Sequence, residues 1–94
     1  MTTVPLTLTL DNNFKMTQIL ETNDISKAID IVNEYTADFT GPTQMYPVTN
    51  GNGFLKVCDR NSWRTFYVTG HMTDLTGINT EIKCPISRQI VKAD

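Results

Sequence analysis

An α+β domain, with a single helix packed on one face of a mainly antiparallel sheet in the order ββαβββ(β), is the fold this chain predicts. Three observations predict it: residues 54–71 alternate as one hairpin, residues 4–20 alternate as another, and residues 25–39 place apolar side chains at steps of three and four. With one helix available, only one sheet face can be covered, so the other meets solvent or a partner.

The elements follow in chain order. A three-residue loop at Asp11-Asn12-Asn13 pairs Leu10 with Phe14, Leu8 with Met16 and Val4 with Leu20 on an inward face, leaving Thr7, Thr9, Lys15 and Thr17 outward. Gln18 opposite Leu6 is the one mismatch of that register. Thr22-Asn23-Asp24 supplies N-caps for a helix whose stripe runs through Ile25, Ala28, Ile29, Val32, Tyr35 or Thr36, and Phe39, and Gly41-Pro42 stops it. Thr43 to Val48 forms a strand that Pro47 confines to an edge or shortens, and Thr49-Asn50-Gly51-Asn52-Gly53 turns the chain into the next strand.

The hairpin from Phe54 to His71 carries the most information. A turn at Asn61-Ser62 sets Leu55 opposite Val68 and Val57 opposite Phe66, with Lys56 facing Tyr67, Cys58 facing Thr65 and Arg60 facing Trp63. Thr73 to Gly77 reads as a loop, Thr80 to Cys84 as a last short strand ended by Pro85, and Ser87 to Asp94 as a frayed turn of helix or a loose tail. Residues 1–94 form one domain with loose ends at 1–3 and 87–94.

A chain of 94 residues, with 39% hydrophobic and 19% charged residues, is long enough for one core and short for an internal active-site cavity. Its net charge of −2 argues against a protein that coats nucleic acid, which needs a large basic footprint. Neither a signal peptide nor an 18-residue apolar run is visible, so a cytoplasmic protein without a membrane partner is expected. The two cysteines, Cys58 and Cys84, read as reduced strand residues; a bridge between them requires that their strands be neighbours.

Candidate chemistry is sparse. Cys58, His71 and Asp74 form the only nucleophile, base and orienter on offer, and the hairpin register leaves Cys58 and His71 about 20 Å apart. No close ligand pair exists for a metal, and Asn50-Gly51-Asn52-Gly53 lacks the lysine and following helix of a phosphate loop. No enzyme activity, metal or cofactor is therefore expected.

Two surfaces stand out instead. Lys56, Arg60, Trp63, Tyr67 and His71 share the outward face of the hairpin, and Trp, Tyr and Arg are the residues that carry most energy at interfaces. The alternative is that Trp63 and Tyr67 pack beneath another segment. Asp30, Glu34 and Asp38, at i, i+4 and i+8, form a carboxylate row that Lys27 only partly offsets, which reads as a docking strip for a basic partner or as a solvated helix face.

The strand before the helix, the helix Ile25-Ser26-Lys27-Ala28-Ile29-Asp30-Ile31-Val32, and the Asn50-Gly51-Asn52-Gly53-Phe54 opening of the hairpin together resemble small phage-encoded host-takeover proteins, anti-CRISPR proteins among them. That resemblance covers about half the chain and implies a stoichiometric inhibitor that occludes a surface of a larger host protein, a nucleic-acid-binding or CRISPR-Cas component among the candidates. The expected function is thus a non-enzymatic protein-binding module of phage or mobile-element origin. Two alternatives remain: a single-stranded nucleic-acid binder using Trp63, Tyr67, Arg60 and Lys56, and a homo-oligomeric accessory subunit, a homodimer for instance.

Overall fold

The computed structural model of the chain describes residues 5–47 and 51–83, and the backbone of residues 91 and 92. Its sheet contains β1 (Leu6–Asn12), β2 (Lys15–Thr22), β3 (Thr43–Pro47), β4 (Asn52–Asp59), β5 (Arg64–His71) and β6 (Val91–Lys92), in the spatial order β2-β1-β5-β4-β3-β6. Every neighbouring pair is antiparallel except β3 and β6. Among the described residues two helices, α1 (Ile25–Tyr35) and α2 (Met72–Glu81), complete an α+β domain. Both pack on the same face: Ala28 and Val32 from α1, and Leu75 and Ile78 from α2, join Leu6, Leu8, Met45, Leu55, Val57, Phe66 and Val68 in one buried cluster. Among the described residues, no helix lies across the opposite face. None of the described helices is long and apolar enough to cross a membrane.

The β4–β5 hairpin pairs as its alternation dictates, Leu55 with Val68, Val57 with Phe66, Lys56 with Tyr67 and Cys58 with Thr65. Burying the first two pairs and half-exposing the others fixes the register, because a one-residue slip would turn every apolar side chain outward. Arg60 and Trp63 do not pair across the strands. The ladder ends at Asp59 and Arg64, and residues 60–63 form a four-residue turn whose last member, Trp63, has φ 57°.

The first hairpin differs more from the sequence expectation. Asn12 pairs with Lys15, leaving Asn13 and Phe14 as a two-residue loop with φ 53° and 70°, the signature of a type I′ turn. Leu10 therefore faces Thr17 rather than Phe14, Asp11 faces Met16, and a bulge at Ile19 sets Leu8 opposite Leu20 rather than Met16 and Leu6 opposite Thr22 rather than Gln18. The expected three-residue loop would have faced Phe14 inward; Phe14 is instead 95% exposed. A two-residue primed turn matches the strand twist, and the bulge lets the apolar residues of β2 realign without it.

Helix α1 begins where Asp24 accepts the backbone N–H groups of Ser26 (3.0 Å) and Lys27 (3.3 Å). It ends at Tyr35 rather than near Phe39, because the Thr36 hydroxyl and N–H both donate to the Val32 carbonyl and the chain then tightens into a turn. Phe39 still reaches the core, fully buried, through that turn.

A second helix stands where a loop and a last strand were expected. α2 includes Thr80 and Glu81, and Cys84 lies outside the described residues. Its apolar stripe is short, Met72, Leu75 and Ile78 with Ile82 just beyond, and Thr73, Thr76, Gly77, Asn79 and Thr80 are weak helix formers, so the helix is held by its neighbours. The Asn33 side chain of α1 supplies one such hold: its Nδ2 donates to the Glu81 carbonyl (3.2 Å) and its Oδ1 accepts the Lys83 N–H (2.9 Å). Asn33→Ala is expected to lower the unfolding free energy by about 1–2 kcal/mol, and hydrogen exchange should show the last turn of α2 opening before the strands. Protection of that turn equal to wild type would contradict this role. The expected loose ends fall largely outside the described residues, except that residues 91 and 92 pair in parallel with Gln44 and Met45.

Candidate functional site: two hairpin tips and an open sheet face

The open face is built by the residues that alternate with the core. Tyr46 on β3, Phe54 on β4 and Tyr67 on β5 lie on adjacent strands, half-buried; Tyr46 and Phe54 stack with centroids 4.7 Å apart, and Phe54 meets Tyr67 at 6.1 Å. The Lys56 ammonium sits 5.8 Å from the Tyr46 ring centroid, and the Tyr46 hydroxyl donates to Gln44 Oε1 at 2.6 Å. A continuous aromatic row thus crosses three strands, with one lysine on it.

At one end of this face the two hairpin turns come together, because β1 pairs with β5 and sets Asn12 beside Arg64. The Asn13 N–H donates to the Trp63 carbonyl (3.3 Å), joining the turns. Each turn carries an aromatic residue in left-handed backbone, Phe14 at 95% and Trp63 at 78% exposure. Between them lies a cleft of about 440 Å³ lined by Asp11, Phe14, Cys58, Arg60, Trp63 and Thr65, among others. Asp11, Thr65 and Cys58 are cross-strand neighbours on β1, β5 and β4. The Cys58 thiol donates to Gln44 Oε1 at 3.9 Å.

A polar hub beneath the second turn keeps it in place. The Asp59 carboxylate, nearly sealed from water, accepts the Ser62 hydroxyl, the Arg64 guanidinium (3.0 Å), the Asn61 N–H (3.1 Å) and the Thr40 hydroxyl (3.0 Å). The Ser62 bond foremost, then Arg64 and the other donors, hold its carboxyl far below the ordinary carboxylate range despite the opposing cost of burial. Arg64 also pairs with Asp38 at 2.8 Å and lies over the Phe39 ring at 4.6 Å. The hub ties the turn to the segment between α1 and β3.

The residues singled out from the sequence separate into groups. Arg60 and Trp63 stand at the turn and line the cleft, while Lys56 and Tyr67 lie in the middle of the open face. His71 is at the far end of β5, where its Nδ1 accepts the Thr73 N–H (3.3 Å) and caps α2. Asp30 and Glu34 are exposed on α1, across the sheet from the aromatic row. Asp38 does not extend that helical pair, since α1 has already ended, and its carboxyl is held below its ordinary value by the Arg64 hydrogen bond. The expected row of three carboxylates on one helix face is therefore two.

Phe14, Asp11, Tyr46 and Phe54 are the participants that sequence reasoning missed. For Tyr46 and Phe54 a signal existed, as both occupy the alternate positions beside Met45 and Leu55. For Phe14 the signal was the Asn13-Phe14 pair read as a two-residue loop. Among the described residues, no group of three or more His, Cys, Asp or Glu side chains is placed to hold a metal ion. Comparison of the chain with protein-family models, with curated proteins and with solved structures gave no match.

Proposed function

We propose that the protein is a non-enzymatic protein-binding module that docks by its paired hairpin tips, with Phe14 and Trp63 as anchors. The observation that carries this reading is Phe14, a phenylalanine 95% exposed at the second position of a type I′ turn, directly after Asn13. Such a turn favours Asn-Gly, and a bulky side chain in left-handed backbone costs about 1 kcal/mol or more. Folding buries almost none of this ring, so among the described residues no burial of the side chain offsets that cost. Strain and exposure that serve no intramolecular contact point outward, to a partner surface. Trp63 repeats the combination on the neighbouring turn, and the Asp59 hub holds it in position ahead of binding.

The mode of action that fits is the one implied by the resemblance to phage host-takeover proteins: stoichiometric occlusion of a larger protein in the host cytoplasm. Phe14→Gly and Trp63→Gly provide the test. Each variant is expected to melt at or above the wild-type temperature, by about 0.5–1 kcal/mol or about 2–8 °C, while recovering at least about tenfold less of the wild-type partner by affinity capture from the native host. Equal recovery by wild type and both variants, or destabilisation of both, would remove the tip-docking reading.

A second reading has its own support in the row Tyr46, Phe54 and Tyr67, a stacking platform for single-stranded nucleic acid. Charge weighs against it, with Lys56 as the one cation on the row and a whole-chain charge of −2. Trp63 is the single tryptophan, so titration of its emission with an oligonucleotide at two salt concentrations separates the readings: no quenching at low salt favours protein docking alone.

A further inference from the structure

Helix α2, weak in its own propensity, is held by a side chain at each end. At its C-terminal end the hold is the Asn33 amide, which bonds to the Glu81 carbonyl and the Lys83 N–H and carries no titratable proton. At its start the acceptor is an imidazole: His71 Nδ1 takes the Thr73 N–H at 3.3 Å, the position that Ser, Asp or Asn fills on most helices. While Nδ1 accepts, Nε2 holds the proton of the neutral ring, so a second proton can bind only at Nδ1 itself. The imidazolium then turns a donor toward the Thr73 N–H, and the bond between them is lost. The positive end of the helix dipole opposes the new charge as well.

The surroundings of His71 offer Thr73 no substitute for Nδ1. Its cross-strand neighbour on β4 is Asn52, and Gly51 lies against Nε2, which a Cβ there would meet at 3.7 Å. On α2 the charged side chain of the first turn is Asp74, whose carboxylate attracts an imidazolium and so works with the acid. His71 forms no ion pair among the described residues, and residues 1–4 and 48–50, which adjoin Pro5 and Gly51 in sequence, contain no ionisable side chain. The first turn also carries Met72, which packs on the core with its sulfur over Gly53.

We propose that His71 is a pH-sensitive cap: it closes the first turn of α2 at neutral pH, and mild acid opens that turn while the sheet stays paired. The relevant range is the one in which imidazole side chains titrate, about pH 6.5. Both hairpin tips stand at the opposite end of β4 and β5, so this device is separate from docking and neither stands or falls with the other.

Amide exchange of the full chain tests it, read as protection factors, which divide out the exchange rate of a free amide at each pH. Leu75 and Thr76 report on the turn, because their N–H groups close the first helical hydrogen bonds, and Val68 on β5 reports on the sheet. Between about pH 7.5 and about pH 5, protection of Leu75 and Thr76 is expected to fall about threefold or more, with Val68 unchanged. His71→Asn, whose amide caps without titrating, should keep the turn protected at both pH values, and His71→Ala should leave it open at both. Unchanged protection of the turn in acid would overturn the proposal. So would an equal fall in His71→Asn, an equal loss at Val68, or His71→Ala protecting the turn like wild type at neutral pH.

Discussion

Asp59→Asn is expected to lower the unfolding free energy by roughly 3 kcal/mol and to flatten the acid limb of the stability curve. The carboxylate is buried and its oxygens accept from Ser62, Arg64, Asn61 and Thr40, so an amide of the same shape turns an NH₂ group toward donors and leaves Arg64 with Asp38 alone. The pH dependence follows from the depressed folded-state pKa. The unfolded chain takes up the proton first, near the ordinary carboxylate value of 3.8, so the stabilisation is complete above that pH and is lost progressively below it. The loss approaches about 1.4 kcal/mol per pH unit for one group. Urea denaturation between neutral pH and pH 2 should therefore show wild type and Asp59→Asn far apart at neutrality and converging in acid. Parallel acid limbs in the two proteins would show that the hub does not set this dependence. Asp38 shifts in the same direction, but it is largely exposed and solvent screens its contribution.

Gly41→Ala is expected to cost at least about 3 kcal/mol, a large share of the roughly 5–15 kcal/mol that holds a domain of this size together. A Cβ on Gly41 would lie 1.7 Å from the Cys58 carbonyl oxygen and 2.4 Å from its carbon, and both belong to the backbone of β4. No rotamer change relieves such a clash. The connection between α1 and β3 would have to lift from the sheet, drawing Phe39 from the core and Thr40 from Asp59. Gly77→Ala is the natural control: it lies in α2, nothing stands within 4 Å of its Cβ position, and alanine there should stabilise by about 0.5–1 kcal/mol. Melting temperatures that move in the same direction for both variants would refute the close approach as the reason for Gly41.

These two sites differ in how far the sequence announces them. Gly41 followed by Pro42 reads from the sequence as the stop for the helix, whereas α1 ends at Tyr35, and the requirement that Gly41 lack a side chain comes from β4, which lies elsewhere in the chain. Asp59 carried no signal, since its partners come from residues 40, 61, 62 and 64 and only the fold brings Thr40 beside the turn. The same division runs through the candidate site. Lys56 and Tyr67 were legible from period-two alternation, because burying Val57 and Phe66 forces their neighbours outward. Asp11 and Phe14 were not, because the register of the first hairpin rests on a two-residue turn and a compensating bulge, and apolar residues alternate acceptably in more than one register.

What the sequence by itself determined is local and periodic: the pairing of β4 with β5, the capped and amphipathic start of α1, and an α+β domain whose described helices lie on one face of the sheet. The tertiary structure decided the rest. It stabilised α2 despite its weak propensity, because burial of Leu75, Ile78 and Ile82 against the sheet and the Asn33 hydrogen bonds outweigh the threonines and the glycine. It also placed β1 beside β5, and so brought Phe14 to Trp63 across about fifty residues of chain, a contact between distant segments that no local pattern encodes.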